Sequence, residues 1–103
     1  MLRPAEFKRA YAGGRRLNTE HFTANVIANS LSHPRLGLSV AARLIATAVA
    51  RNRIKRQVRE SFRLAQHALP AVDCVIGVRA PARAASREQL RASLEQLWQR
   101  VAC

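Results

Sequence analysis

Arg51, Asn52, Arg53, Lys55, Arg56, Arg59 and Arg63 crowd cations and one amide into a single short stretch, with Glu60 as the only acid among them. Guanidinium forks at this density suit phosphate oxygens, not bond breaking. A protein that hydrolyses through its own side chains needs carboxylates gathered around metal ions, or an acid and a base held together. Glu6, Glu20, Glu60, Asp73, Glu88 and Glu95 are scattered instead, and His21, His33 and His67 lack metal-ligand spacing. His21 reads as an exposed or edge-strand residue, His33 as a turn residue, and His67 as a favourable cation near a helix C-terminus. Cys74 and Cys103 form neither a CxxC nor a zinc pattern, and no phosphate-cradling GxxxxGKS/T loop is present. No residue is assigned a catalytic or metal-binding role.

A helix from Ala46 to Leu64 must position these cations. At about 100° per residue, Ile54, Val58, Phe62 and Ala65 gather on one side, as for a helix seated on a core. Arg51, Asn52, Lys55, Arg56, Arg59 and Arg63 spread over the adjoining arc, while Arg53 points to the far side with Glu60. The helix begins either at a Thr47 cap or as early as Ala41 or Ala42. Seven basic residues from Arg43 to Arg63 against one acid give the region a charge of +6.

The whole chain repeats this imbalance. Its 103 residues carry eighteen Lys and Arg, nearly all Arg, against six acids, for a net charge of +12 and a pI near 11.8. An apolar fraction of 49% argues for a folded body, and the length for one domain. Nucleic acid is the leading partner class, with an anionic membrane surface second. No apolar run is long enough to span a membrane, the start at Met1-Leu2-Arg3-Pro4 lacks a secretory signal, and the two cysteines suit a reducing cytoplasm.

Around the basic helix, residues 4–12 read as a short helix stopped by Gly13-Gly14, with Phe7, Ala10 and Tyr11 on one face. Phe7 and Tyr11 serve either as core anchors or as a patch for an unpaired nucleotide; Arg15 and Arg16 follow. His21 to Asn29 and Leu36 to Val40 read as strands joined by a polar turn, which suggests an antiparallel pair. Phe22, Ala24, Val26 and Ala28 would face inward; the face with Thr23 and Asn25 would meet solvent or floor a cleft. Asp73 to Arg79 reads as a buried strand, 80–85 as a linker, and Ser86 with Gln89 as the capping box of a last helix. Leu90, Leu94, Leu97, Trp98 and Val101 form that helix's seam, with Trp98 as core.

Leu36-Gly37-Leu38-Ser39-Val40, then Ala48-Val49-Ala50-Arg51-Asn52-Arg53-Ile54-Lys55-Arg56 and Arg59-Glu60-Ser61-Phe62-Arg63, strongly resemble the protein component of bacterial ribonuclease P. The stretch Phe7-Lys8-Arg9-Ala10-Tyr11-Ala12-Gly13-Gly14-Arg15 and the strand at Asp73 to Arg79 match the same family, so the likeness covers nearly the entire chain. It implies one α/β (α+β) sandwich domain over 1–103, of the ribosomal protein S5 domain 2-like class. The expected mixed sheet has α-β-β-β-α-β-α order and a left-handed β-α-β crossover, against the usual right-handed rule.

In function, the resemblance implies a subunit that assists magnesium-dependent removal of the 5′ leader from precursor transfer RNA. Mg2+ and the chemistry belong to the catalytic RNA, and no obligate protein partner or membrane is expected. Phe7, Tyr11, Arg51, Asn52, Lys55 and Arg59 match leader-binding positions; Arg53 and Arg56 match contacts to catalytic RNA. Arg15, Arg16, Arg43 and Arg63 are further RNA-contact candidates. Many relatives have Ser-Lys-Lys around Ala41-Ala42-Arg43, a glycine at Ile45, and some a tyrosine at Asn25. The main alternative is a noncatalytic ribosome-associated or RNA-chaperone protein; a protein-only nuclease and a DNA-binding regulator fit the residues less well.

Overall fold

The computed structural model describes residues 3–102. The expectations about the first two residues and Cys103 lie outside it. Helix α1 spans Pro4–Gly13, strand β1 Arg15–Asn18, β2 Phe22–Ala28 and β3 Arg35–Ser39. Helix α2 spans Ala48–Ala65, β4 Val72–Val78 and α3 Arg87–Ala102. This is the α-β-β-β-α-β-α order expected. Arg15–Asn18 carried no strand signal of its own, because an exposed, polar edge strand leaves no apolar alternation to read.

The sheet order is β1-β2-β4-β3. β2 and β3 therefore do not form the antiparallel pair that their short connection suggested. Each pairs with β4 instead, β2 antiparallel and β3 parallel. The reason is burial: five of the seven β4 residues are buried, so β4 takes the central place between two strands. The β3–α2–β4 segment is thus a crossover between neighbouring parallel strands.

Strand register sorts the two faces. Phe22, Ala24 and Val26 of β2 lie with Cys74, Ile76 and Val78 of β4, and α2 and α3 cover them through Ile54, Val58, Leu90, Leu94, Leu97, Trp98 and Val101. Ala28, at the strand end, is exposed rather than inward. Trp98 is 5% exposed, donates its indole N–H to Ser61 Oγ at 2.8 Å, and meets Phe62 edge-on at 5.8 Å. The Cys74 thiol sits fully inside this core, where burial pushes its pKa up to about 12.

α1 lies across the opposite face, where Ala10 and Val75 are buried with Phe7 and Ile27 packed against them. Pro4 occupies the first turn, where its missing N–H costs nothing, and Glu6 Oε1 accepts the Arg3 backbone N–H at 2.7 Å. The helix runs through Gly13 and ends as the Gly14 N–H donates to Ala10 O. A Cβ on Gly14 would collide with that carbonyl and come within 3.0 Å of Val26 O, so the close approach, not an unusual φ, requires glycine.

The acids are less scattered in space than in sequence. Arg35 donates through Nε and Nη2 to both oxygens of Asp73 at 2.9 Å, and its Nη2 lies 2.6 Å from Glu6 Oε2. Asn29 Nδ2 adds a 2.9 Å hydrogen bond to Asp73. One arginine thereby ties α1, β3 and β4 together. Burial of Asp73 would raise its pKa, but the hydrogen bonds from Arg35 and Asn29 outweigh that and hold it below the ordinary value. A carboxylate whose pKa is depressed by folding stabilises above its unfolded pKa and loses that contribution as pH falls through the folded value. Asp73→Ala should cost about 2–4 kcal/mol in urea unfolding at pH 7, because it leaves Arg35 half-buried beside a lone Glu6. The difference from wild type should shrink below about pH 4 as Asp73 protonates.

Candidate nucleic-acid interface

Thr47 settles where α2 begins: its Oγ1 accepts the Ala50 N–H at 3.1 Å, and the preceding residues 41–46 form a turn, not helix. Ile45 fills the core at 5% exposure. Arg51 reaches back and donates Nη1 to Ile45 O at 2.9 Å and Ala46 O at 3.0 Å. Its guanidinium closes the loop that leads into the helix, which no reading of a basic run would disclose.

Along α2 the cations separate by direction. Ile54 and Val58 seat the helix on the sheet. Arg51 and Lys55 are half-buried on one flank, followed by exposed Arg59. Arg53 and Gln57 look the other way, onto the groove shared with α3. Asn52 does not join Arg51 and Lys55; it lines a shallow hollow of about 350 Å3 on the outer surface with Arg56, Arg59, Glu60 and Arg63. Arg63 Nε donates to Glu60 Oε2 at 3.2 Å, and this hydrogen bond holds the Glu60 carboxyl below its usual pKa. The stretch's one acid is therefore occupied by its neighbour. Arg43 stands on the loop, at the rim of the α2–α3 groove.

On the sheet, α3 packs against β1 and β2 while α2 packs against β3. The flank of α2 turned from α3 consequently looks out past the open β3 edge. Around that edge lies the α1 face. There the row Asn18–Thr23–Gly77–Ser39 crosses all four strands in register, small or polar throughout and not buried. Beside it runs Arg16–Asn25–Val75–Gly37, in which Asn25 is buried at 8%. The face that was either solvent-exposed or a floor is thus divided: its Asn25 end is closed, its Thr23 end open. Gly77 keeps the floor low, since a Cβ there would come 2.7 Å from Thr23 Oγ1.

α1 walls this strip. Phe7 is half-buried and acts as an anchor, whereas Tyr11 is 53% exposed, their ring centroids 6.5 Å apart. Arg15 and Arg16 are exposed on β1, at the far sheet edge from β3, about 14 Å away at ordinary strand spacing. Thr23 lies on the face expected to meet solvent or floor a cleft, whereas Ser39 joins the strip only through the strand register, which no sequence signal announced.

The histidines do not converge. His33 and His67 are exposed, but His21 is 6% exposed, a correction to its reading as an edge residue. Thr19 and Ser93 hydroxyls meet at 2.6 Å and the His21 N–H reaches Ser93 Oγ at 3.4 Å, so α3 holds the β1–β2 turn and covers the ring. Among the described residues no three His, Cys, Asp or Glu side chains gather as metal ligands, and no helix is long and apolar enough to cross a membrane.

The loop clamp predicts a specific sensitivity. Arg51→Gln should lower stability by about 1–2 kcal/mol through two lost charge-assisted bonds. It should also accelerate tryptic cleavage after Arg43 under native conditions; an unchanged cleavage rate would remove the clamp.

With this geometry in hand, comparison with known proteins is direct. The ribonuclease P family model matches residues 1–102. The ribonuclease P protein component of Aliivibrio fischeri is 46% identical over 101 residues, covering 98% of this chain and 86% of that protein. That of Photobacterium profundum is 44% identical over the same shares. Among solved structures, the RNase P protein of Staphylococcus aureus superposes with a TM-score of 0.90 at 33% identity, over 96% of this chain and 91% of that one. The Thermotoga maritima RNase P protein, in complex with 1-(4-fluorophenyl)-2-thiourea, gives 0.90 at 29% identity, over 98% and 99%.

Proposed function

This chain belongs to the bacterial ribonuclease P protein family, the non-catalytic subunit that assists RNA-mediated maturation of transfer-RNA 5′ ends, and from that premise we propose which of its surfaces meets which RNA. The observation that carries the reading is the separation of half-buried Arg51 and Lys55 on one flank of α2 from Arg53 on the α2–α3 groove, with Arg56 and Arg59 on the outer hollow between them.

The precursor leader lies along the open strip of the α1 face. Tyr11 offers an aromatic surface, Phe7 holds it in place, and Lys55 and Arg59 approach the phosphates around the β3 edge. Arg51 contributes chiefly through the loop it fixes, with its remaining donors toward the strand. Asn52 borders the cleft from the outer hollow. Arg53 and Arg56 meet the catalytic RNA, and Arg15, Arg16, Arg43 and Arg63 extend the two contacts. An extended single strand fits a strip floored by small residues better than a duplex does, and phosphate contacts make sequence preference modest.

Magnesium belongs to the RNA in this reading. Glu6 and Asp73, the acids that converge, are both paired with Arg35, so these oxygens are committed to folding. Residues 1–103 act as one ribonuclease P protein domain of the ribosomal protein S5 domain 2-like class, with the β3–α2–β4 crossover left-handed. Family membership and the parallel pairing of adjacent β3 and β4 support that topology. The working compartment is the cytoplasm, where both RNAs are made.

In reconstituted holoenzyme, Lys55→Ala with Arg59→Ala should weaken binding of precursor on the order of tenfold while barely changing binding of mature transfer RNA. Equal losses would reject the leader assignment. Arg53→Ala with Arg56→Ala should instead weaken assembly with catalytic RNA and lower its salt slope by about two, measured by filter binding.

A further inference from the structure

The groove between α2 and α3 opens on the sheet face away from α1 and encloses about 1260 Å3. Ile54, Leu90 and Leu94 line its depth, and Leu64, 68% exposed, stands at its edge. Arg56, Glu60, Glu88 and Glu95 line it as well, and Arg43 and Arg53 border it from the α2 side, Arg83, Arg87 and Arg91 from the other. Among the described residues only Arg91 of these five has an ion-pair partner, Glu95 at 4.0 Å.

Folding alone does not account for this set. Cations close to a helix N-terminus oppose the macrodipole, yet Arg87 opens α3, Arg83 precedes it, and Arg91 follows one turn later. Glu88 is the one acid in the first turn of α3, and the first turn of α2 has none. Gln57 Nε2 donates to Arg87 O at 2.8 Å, which brings the positive end of α3 beside the middle of α2. Five arginines from four segments converge here with Arg56 beside them, and they outnumber the acids on the groove, Glu60, Glu88 and Glu95, of which Glu60 is held by Arg63.

We propose that this groove seats an unpaired segment of the catalytic RNA, with phosphates on the arginine rim and an unstacked base against the apolar depth. The proposal rests on the assignment of Arg53 and Arg56 above and extends that footprint to Arg83, Arg87 and Arg91. A second copy of the chain would bring another net charge of +12 to the same place. A membrane surface needs a protruding apolar face, whereas this one is recessed. The leader, held on the α1 face, runs on the other side of the sheet. Bulged or looped RNA supplies both the phosphates and the splayed base that such a recess accepts.

The test uses holoenzyme reconstituted with the catalytic RNA of the same organism. Arg83→Gln, Arg87→Gln and Arg91→Gln together should raise the Kd for catalytic RNA about tenfold or more and lower the salt slope by about two. The corresponding triple Lys variant should recover most of the affinity, which separates lost charge from lost fold. If the Gln variant binds within about twofold of wild type while the Arg53/Arg56 variant still weakens assembly, the groove is not an RNA seat and the α2 assignment stands. If neither weakens assembly, the underlying reading falls as well. An iron chelate tethered at Arg91→Cys, in a Cys103→Ser background with Cys74 shielded in the core, should cut one local segment of the catalytic RNA. Cuts confined to the leader, or a dimer that the Gln variant dissolves, would overturn the proposal.

Discussion

The structure depends on seating a helix that repels itself. Seven cations between Arg43 and Arg63 have a single acid among them, and that acid is held by Arg63. Internal ion pairing cannot neutralise the rest, because six acids face eighteen cations and two of the six, Glu6 and Asp73, are engaged by Arg35. What keeps the charges in one array is apolar: Ile54 and Val58 against the β2 and β4 side chains, closed by Phe62 on Trp98. Burial of that stripe fixes the position of every guanidinium on the helix, and so turns a diffuse charge into a surface with directions.

The same seating makes the molecule two-sided. α2 and α3 share one sheet face and α1 holds the other, leaving two distinct polar recesses. One is a shallow strip of Asn18, Thr23, Gly77 and Ser39 beside an exposed tyrosine; the other is an arginine-rimmed groove with an apolar depth. A subunit that assists a catalytic RNA on its substrate must hold two RNAs that repel each other, and cations on opposite sides of a thin sheet reduce that repulsion without competing for one site. The chemistry demanded of the protein is positional. Glu6 and Asp73, through Arg35, lock α1 across the strands.

Much of this was readable from the chain. The apolar period of α2, the burial of β4, the α3 capping box with Ser86 and Gln89, and the spread of cations around the basic helix all arise from local spacing. The strand alternation through Asn25 also marked the face that became the floor. The family resemblance supplied a strand before β2 that Arg15–Asn18 did not announce, since edge strands need no apolar alternation.

By itself the sequence determined element types, inward faces and an unbalanced positive charge, because periodicity and composition act over a few residues. Only tertiary structure decided that β2 and β3 both turn to β4, that Arg35 gathers Glu6 and Asp73, that His21 is covered by α3, and that Arg51 closes its own loop. It also decided that Arg83, Arg87 and Arg91 join Arg53 across a groove. Those outcomes depend on which distant segments compete for the same buried place or the same counter-charge, and that competition is settled only when the chain is packed.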